Sequence, residues 1–216
     1  MQAEAAATWV PAAVGADVLD GTVVPAMLPT GPIAVWRTQS GRLSANADRC
    51  PHRGMRLSHG FVRGETLSCI YHGWRFGRDG GCQYIPAHPK VVPPKSINCG
   101  PLPVMEQNGV IWVASAQPPQ DPQVFEGYTA LRSLVIAAPA RAVWEVSGGM
   151  WEADAIITTL QGLKSRLLLS PRGSDDVFVI ALIEAGAPLA ARIAASSALE
   201  ALRRRAEALD VQEACL

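Results

Sequence analysis

Histidine is scarce in this 216-residue chain: there are four, His52, His59, His72 and His88, and none follows residue 88. A metal site that needs two histidines therefore cannot be built in the second half of the chain. Neither sign of charge is in excess, with 19 Lys and Arg against 19 Asp and Glu, so neither nucleic acid nor an anionic membrane surface is an expected partner. Long apolar runs are missing too. No window reaches the eighteen apolar residues of a membrane span, and the longest runs, such as Val177 to Ile183, suit buried strands. Met1-Gln2-Ala3-Glu4 offers no basic leader and no twin arginine, which makes the cytoplasm the expected location. The five cysteines are odd in number and irregularly spaced, unlike a disulfide framework and in keeping with a reducing compartment. The apolar share of 49% is ample for a core, and the length suits one large or two small domains.

The chemistry is concentrated in two short segments. Cys50-Pro51-His52 and Cys69-Ile70-Tyr71-His72 each pair a thiol with an imidazole, and sixteen residues separate the halves. Four such side chains can hold a structural zinc ion, although zinc motifs usually pair cysteine with cysteine and histidine with histidine. A mixture of Cys and His in both halves, each half followed closely by Gly54 or Gly73, instead suits a two-iron, two-sulfur cluster. In that arrangement two cysteines hold one iron and two histidines the other, as in Rieske centres.

The flanking residues make the likeness specific. Asp48-Arg49-Cys50-Pro51-His52-Arg53-Gly54, then Leu57-Ser58 and Gly60, then Cys69 to Trp74 as C-I-Y-H-G-W, resemble the cluster loops of Rieske non-heme iron oxygenases. The similarity runs over roughly residues 8–116, from Trp9-Val10-Pro11 to the apolar strand Gly109-Val110-Ile111-Trp112-Val113. The resemblance implies Cys50, His52, Cys69 and His72 as ligands of a Rieske 2Fe-2S cluster. It places Arg53, Tyr71 and Trp74 beside the cofactor: Arg53 to hydrogen-bond the second loop or dock a partner, Trp74 to pack beneath the loops. Rieske proteins of respiratory cytochrome bc complexes carry a disulfide between their loops. Met55 and Tyr71 stand at the corresponding positions here, so the potential is expected toward the low end of the roughly −150 to +300 mV Rieske range. His59 and His88 are expected to be surface or loop side chains.

The expected fold class is mostly β with an α+β tail. Residues 1–118 are read as an N-terminal antiparallel Rieske domain of short strands punctuated by Gly and Pro. Val23-Val24 and Ile33 to Trp36 are strands separated by Pro25, Pro29 and Gly31-Pro32; Arg42 to Ala47 is a strand delivering Cys50. Gly60 to Glu65 and Arg78-Asp79-Gly80-Gly81 are turn signals. After Pro118-Pro119-Gln120-Asp121-Pro122 the composition shifts toward Ala and Leu. Residues 119–216 are read as a shortened, helix-grip-like region. Its expected strands are Arg141 to Val146, Ala155 to Leu160, Ser165 to Ser170 and Val177 to Glu184. A long helix follows Pro188, striped by Leu189, Ile193, Leu199, Leu202, Ala206 and Leu209. Arg203-Arg204-Arg205 is read as a solvated helix face.

In the family it resembles, a second domain carries mononuclear iron on two histidines and a carboxylate, which binds and activates oxygen. With no histidine after His88, the acids Glu152, Asp154, Asp175 and Asp176 cannot complete such a site. The chain is thus expected to be no complete oxygenase, and no catalytic residue or mononuclear iron is assigned to it. The reading favoured is the electron-transfer component of a Rieske oxygenase (an oxidoreductase subunit) in a hetero-oligomer. An oxygenase subunit carrying mononuclear non-heme iron would accept the electron, and a reductase or ferredoxin would donate it. The alternatives are a free-standing Rieske ferredoxin and a structural or redox-sensing subunit.

Overall fold

The computed structural model describes residues 7–152 and 155–214, with side chains to residue 209. Met1-Gln2-Ala3-Glu4, Asp154 and Cys215 lie outside the described residues. The chain is mostly β, built from antiparallel sheets with a helix-containing C-terminal region. It divides into two compact units, Met1–Glu106 with Ile111–Pro122, and Gln107–Val110 with Gln123–Leu216.

The first unit runs through β1 (Val10–Val14), β2 (Val23–Leu28), β3 (Gly31–Arg37) and β4 (Leu43–Ala47). The short strands β5 (Phe61–Arg63), β6 (Thr66–Ser68), β7 (Arg75–Phe76) and β8 (Cys82–Tyr84) follow, then β9 (Pro101–Leu102), β10 (Val104–Gln107) and β11 (Val110–Val113). Three sheets result, in the orders β1-β11-β10, β2-β3-β4-β9 and β5-β6-β7-β8. Strand β3 is buried on both faces. Its period-two alternation sends Ala34 and Trp36 to a core with Leu57, Leu67, Phe76 and four cysteines, and Ile33 and Val35 to a core with Ile111 and Val113. Pro25 lies within β2, opposite Ala34, and does not separate strands. Because β2 is the edge of its sheet, the missing N–H breaks no ladder bond.

The second unit comprises β12 (Tyr128–Ile136), α1 (Ala140–Ser147), β13 (Met150–Glu152), β14 (Ala155–Leu160), β15 (Leu163–Pro171), β16 (Val177–Glu184) and α2 (Leu189–Ala214). The five strands form one antiparallel sheet in the order β12-β16-β15-β14-β13. Three of the expected strands are present. The fourth, Arg141 to Val146, is the helix α1. Its apolar residues Ala142, Val143 and Val146 fall at helical spacing, and tertiary packing of that face overrides the β preference of two valines. Strand β12, not anticipated, is the longest of the sheet together with β15.

The helical stripe also needs correction. Leu189 and Ile193 are 72% and 59% exposed, while Ala195, Leu199, Leu202 and Ala206 are the buried face of α2. Six residues separate Ile193 from Leu199, which at 3.6 residues per turn places the two on different faces. The buried face packs with Val177, Val179, Ala181 and Ile183, alternate residues of β16. Arg203 pairs with Glu200 at 2.6 Å and Glu207 at 2.8 Å, and Arg204 with Glu200 at 3.6 Å, as one turn of helix permits.

Truncating Leu199, fully buried at the centre of this core, is expected to cost the second unit about 2–5 kcal/mol. Denaturant unfolding followed by helical circular dichroism measures it; a midpoint unchanged in Leu199→Ala would contradict the packing.

Candidate metal centre

Strand β4 delivers the first loop. The Trp36 Nε1–H donates to Asn46 Oδ1 at 2.9 Å, and Asn46 Nδ2 donates to the Ala47 carbonyl at 2.9 Å, anchoring the end of the strand. Asp48, buried, then accepts from the Ser58 backbone N–H and the Ser58 hydroxyl, both at 2.7 Å. This clamp closes the chain around Cys50. The second loop is the connection from β6 to β7, so its ends are held by the ladder that pairs Ser68 with Arg75.

Within the loops one backbone design occurs twice. The Cys50 N–H donates to the Met55 carbonyl at 2.8 Å, and the Gly54 N–H donates back to the Cys50 carbonyl at 2.8 Å. The Cys69 N–H donates to the Trp74 carbonyl at 2.9 Å, and the Gly73 N–H to the Cys69 carbonyl at 3.0 Å. In each loop the glycine four residues beyond the cysteine sits in the left-handed region, at φ 73° and 70°, where any side chain is strained. The turn carries the cysteine inward and the intervening residues outward. Cys50 and Cys69 are each 2% exposed, while His52 and His72, two and three residues on, are exposed.

The side chains meet across the loops. The thiols of Cys50 and Cys69 are within hydrogen-bonding reach of one another, and the backbone N–H groups of His52 and Arg53 point at the Cys50 sulfur. Burial pushes the Cys50 thiol up to about 11, with the neighbouring Cys69 adding to the rise and those two N–H groups opposing it. Such a pair becomes thiolate when a cation stands beside it. The His52 and His72 rings lie 4.7 Å apart, centre to centre. Trp74 stacks flat on His52 at 4.4 Å, and Tyr71 tilts against His72 at 3.9 Å. Desolvation, then His72, then Arg53 lower the His52 pKa, favouring the neutral ring that binds a metal.

The expected neighbours are therefore close, with changed roles. Trp74 braces a histidine of the opposite loop. Arg53 is exposed and has no hydrogen bond to the second loop among the described residues; its charge acts on His52 instead. The Arg49 guanidinium lies across Gly54. His59 and His88 are exposed. Sequence reasoning did not find the Asp48–Ser58 clamp, although both residues belong to the quoted motif. It also missed Cys82 and Cys99, which share the core with Cys50 and Cys69.

A two-iron cluster asks for two sulfurs on one side and two imidazole nitrogens on the other. The four side chains stand in that way, as a buried pair and an exposed pair. The donor set fits the binuclear group.

Residues 8–105 match the Rieske [2Fe-2S] domain. The chain's relatives are more particular. It is 41% identical over 115 residues to oxidoreductase NdmD of Pseudomonas putida, a stretch covering 53% of this chain and 20% of NdmD. It is 37% identical over 105 residues to the chloroplastic chlorophyllide a oxygenase of Chlamydomonas reinhardtii, covering 49% of this chain and 16% of that protein. The chain thus matches only about a fifth of the length of these relatives. The fold is similar to that of apo dicamba monooxygenase, with TM-score 0.72 and 18% identity over 96% of this chain and 87% of that one. The likeness in fold therefore extends beyond the Rieske domain. Among the described residues no helix is long and apolar enough to cross a membrane.

Gly60 tests the geometry of the loops. A Cβ there would stand within forbidden distance of the Ser68 and Leu57 carbonyl oxygens, both backbone and both flanking the site. In Gly60→Ala, iron and acid-labile sulfide per chain are expected to fall several-fold. Gly186→Ala, where a Cβ meets open space, keeps the parent's content. Equal iron in both variants would show that the spacing of the loops does not govern the site.

Proposed function

We propose that this chain is the Rieske electron-transfer component of a non-heme iron oxygenase system. Cys50 and Cys69 hold one iron of the cluster, and His52 and His72 hold the other. The observation that carries the reading is the division of the four side chains, thiols buried together and imidazoles exposed together. When bound, the cluster supplies one-electron transfer at a potential above that of all-cysteine clusters. Burial of Cys50 and Cys69 shields sulfur from solvent and oxidants. The N–H groups of His52 and Arg53 offset negative charge at the Cys50 sulfur. His52 and His72 present their free ring nitrogens outward, where electron exit and a coupled proton are available. Trp74 and Tyr71 fix the planes of those rings.

The electron acceptor in this reading is mononuclear iron on a partner subunit, since no histidine follows His88 and the second unit has none with which to build such a site. A reductase or ferredoxin is the donor, and the assembly is a hetero-oligomer. The oxygenases and the oxidoreductase among the relatives support this placing in an oxygen-activating system. The second unit supports a subunit rather than a free carrier, because it shares the fold of a monooxygenase and is not needed to hold a cluster.

Two measurements test this. Replacing both histidines, His52→Cys with His72→Cys, is expected to move the potential from the Rieske range toward about −400 mV, the all-cysteine value; an unchanged potential would remove His52 and His72 from the ligand set. Cys69→Ser should lose visible absorbance and iron. Co-expression with a mononuclear iron oxygenase subunit should yield a mixed oligomer. A monomer passing electrons only by collision supports the ferredoxin reading instead.

A further inference from the structure

We infer that the surface around His52 and His72 is a docking face for an acidic redox protein, a partner chemistry that rests on the electron-transfer reading. Charge is balanced over the whole chain yet segregated along it. Residues 49–95 carry eight Lys or Arg and only two Asp or Glu. Both acids are engaged: Glu65 accepts from Arg42 at 3.1 Å, and Asp79 accepts the Gly81 N–H at 3.1 Å within the turn from β7 to β8.

The cations are not. Arg49, Arg53, Arg56, Lys90 and Lys95 are exposed, and none has a carboxylate partner among the described residues. On α2 of the second unit, by contrast, Arg203 and Arg204 are neutralised by Glu200 and Glu207 of the same helix. Three of the unpaired cations surround the first loop itself. Arg49 lies across Gly54, Arg53 is close enough to bias His52, and Arg56 opens the 3-10 turn that carries Ser58.

The centre of this face is apolar. Ile70 and Tyr71 are 57% and 53% exposed although they adjoin a buried cysteine. Pro86 packs against Gly73 and starts a loop in which Val91 and Val92 are 56% and 88% exposed, between Lys90 and Lys95. Exposed apolar side chains ringed by unpaired charge of one sign are the anatomy of an interface. The matching partner presents an apolar spot ringed by carboxylates. Such complementarity chiefly raises the rate of encounter, and salt screens it.

The test uses the cluster-loaded full chain, with loading verified by visible absorbance. Reduced plant-type ferredoxin, an acidic protein whose potential near −400 mV makes transfer to a Rieske centre downhill, serves as the probe; one electron leaves the ferredoxin and one enters the chain. The second-order rate constant, read by stopped flow, is expected to fall about tenfold between low and physiological salt. Arg56→Glu with Lys90→Glu should lower the low-salt rate by about the same factor. Arg172→Glu with Arg205→Glu, the same change in net charge on the second unit, should leave it near the parent value. A rate indifferent to salt and to the first pair, or equally lowered by both pairs, overturns the docking face. A chain that carries no cluster fails earlier, at loading, and overturns the electron-transfer reading instead.

Discussion

Two sulfurs must be kept dry while two imidazoles a few residues away stay wet, and the N-terminal unit is organised around that requirement. A thiolate pair in an apolar core is unfavourable without a cation and N–H donors beside it. The repeated turn meets the requirement in the backbone. Hydrogen bonds from the Cys50 N–H to Met55 and from the Gly54 N–H to Cys50, and likewise from Cys69 to Trp74 and from Gly73 to Cys69, roll each cysteine inward. The two loops share every element of that turn except the register of the histidine, which follows at the second position in one and the third in the other. That offset lets the rings meet edge to face, 4.7 Å apart, rather than collide.

The surrounding packing can be read as support for these turns. Asp48 and Ser58 clamp the first loop through two hydrogen bonds to the buried carboxylate, while the β6–β7 ladder holds the second. Without a disulfide across the loops, cohesion between them comes from aromatic contact, chiefly Trp74 of one loop lying flat on His52 of the other. Stacking fixes the orientation of a ring yet leaves its edge free. The proposed ligation by His52 and electron exit through it both require that combination.

Different parts of the chain were legible to different degrees. Strands β3 and β4 and the turns at Gly64-Glu65 and Gly80-Gly81 carry apolar runs and glycine punctuation, so local chemistry and tertiary structure agree there, whereas Pro25 lies inside β2. Disagreement concentrates in the second unit. Arg141 to Val146 contains two valines and a tryptophan, a β-like composition, yet its apolar residues are spaced for one helical face. In α2 the large residues Leu189 and Ile193 suggested the buried stripe, whereas two alanines, Ala195 and Ala206, flank the leucines that are buried. Close approach of helix to sheet favours small side chains, and hydrophobicity by itself does not reveal it.

What the sequence by itself determined was a pattern: Cys50 with His52 and Cys69 with His72 pair thiol with imidazole in both halves, a glycine follows each half, and few metal sites mix the two in that way. The shortage of histidine beyond residue 88 likewise bounded the chemistry before any fold was known. Only the tertiary structure decided which of these groups are buried and which exposed, that Trp74 braces His52, and that the cations of residues 49–95 stand unpaired. Those outcomes depend on contacts between segments far apart in the chain. A linear pattern names the atoms able to meet; the packing of β4, β6 and β7 settles which of them do.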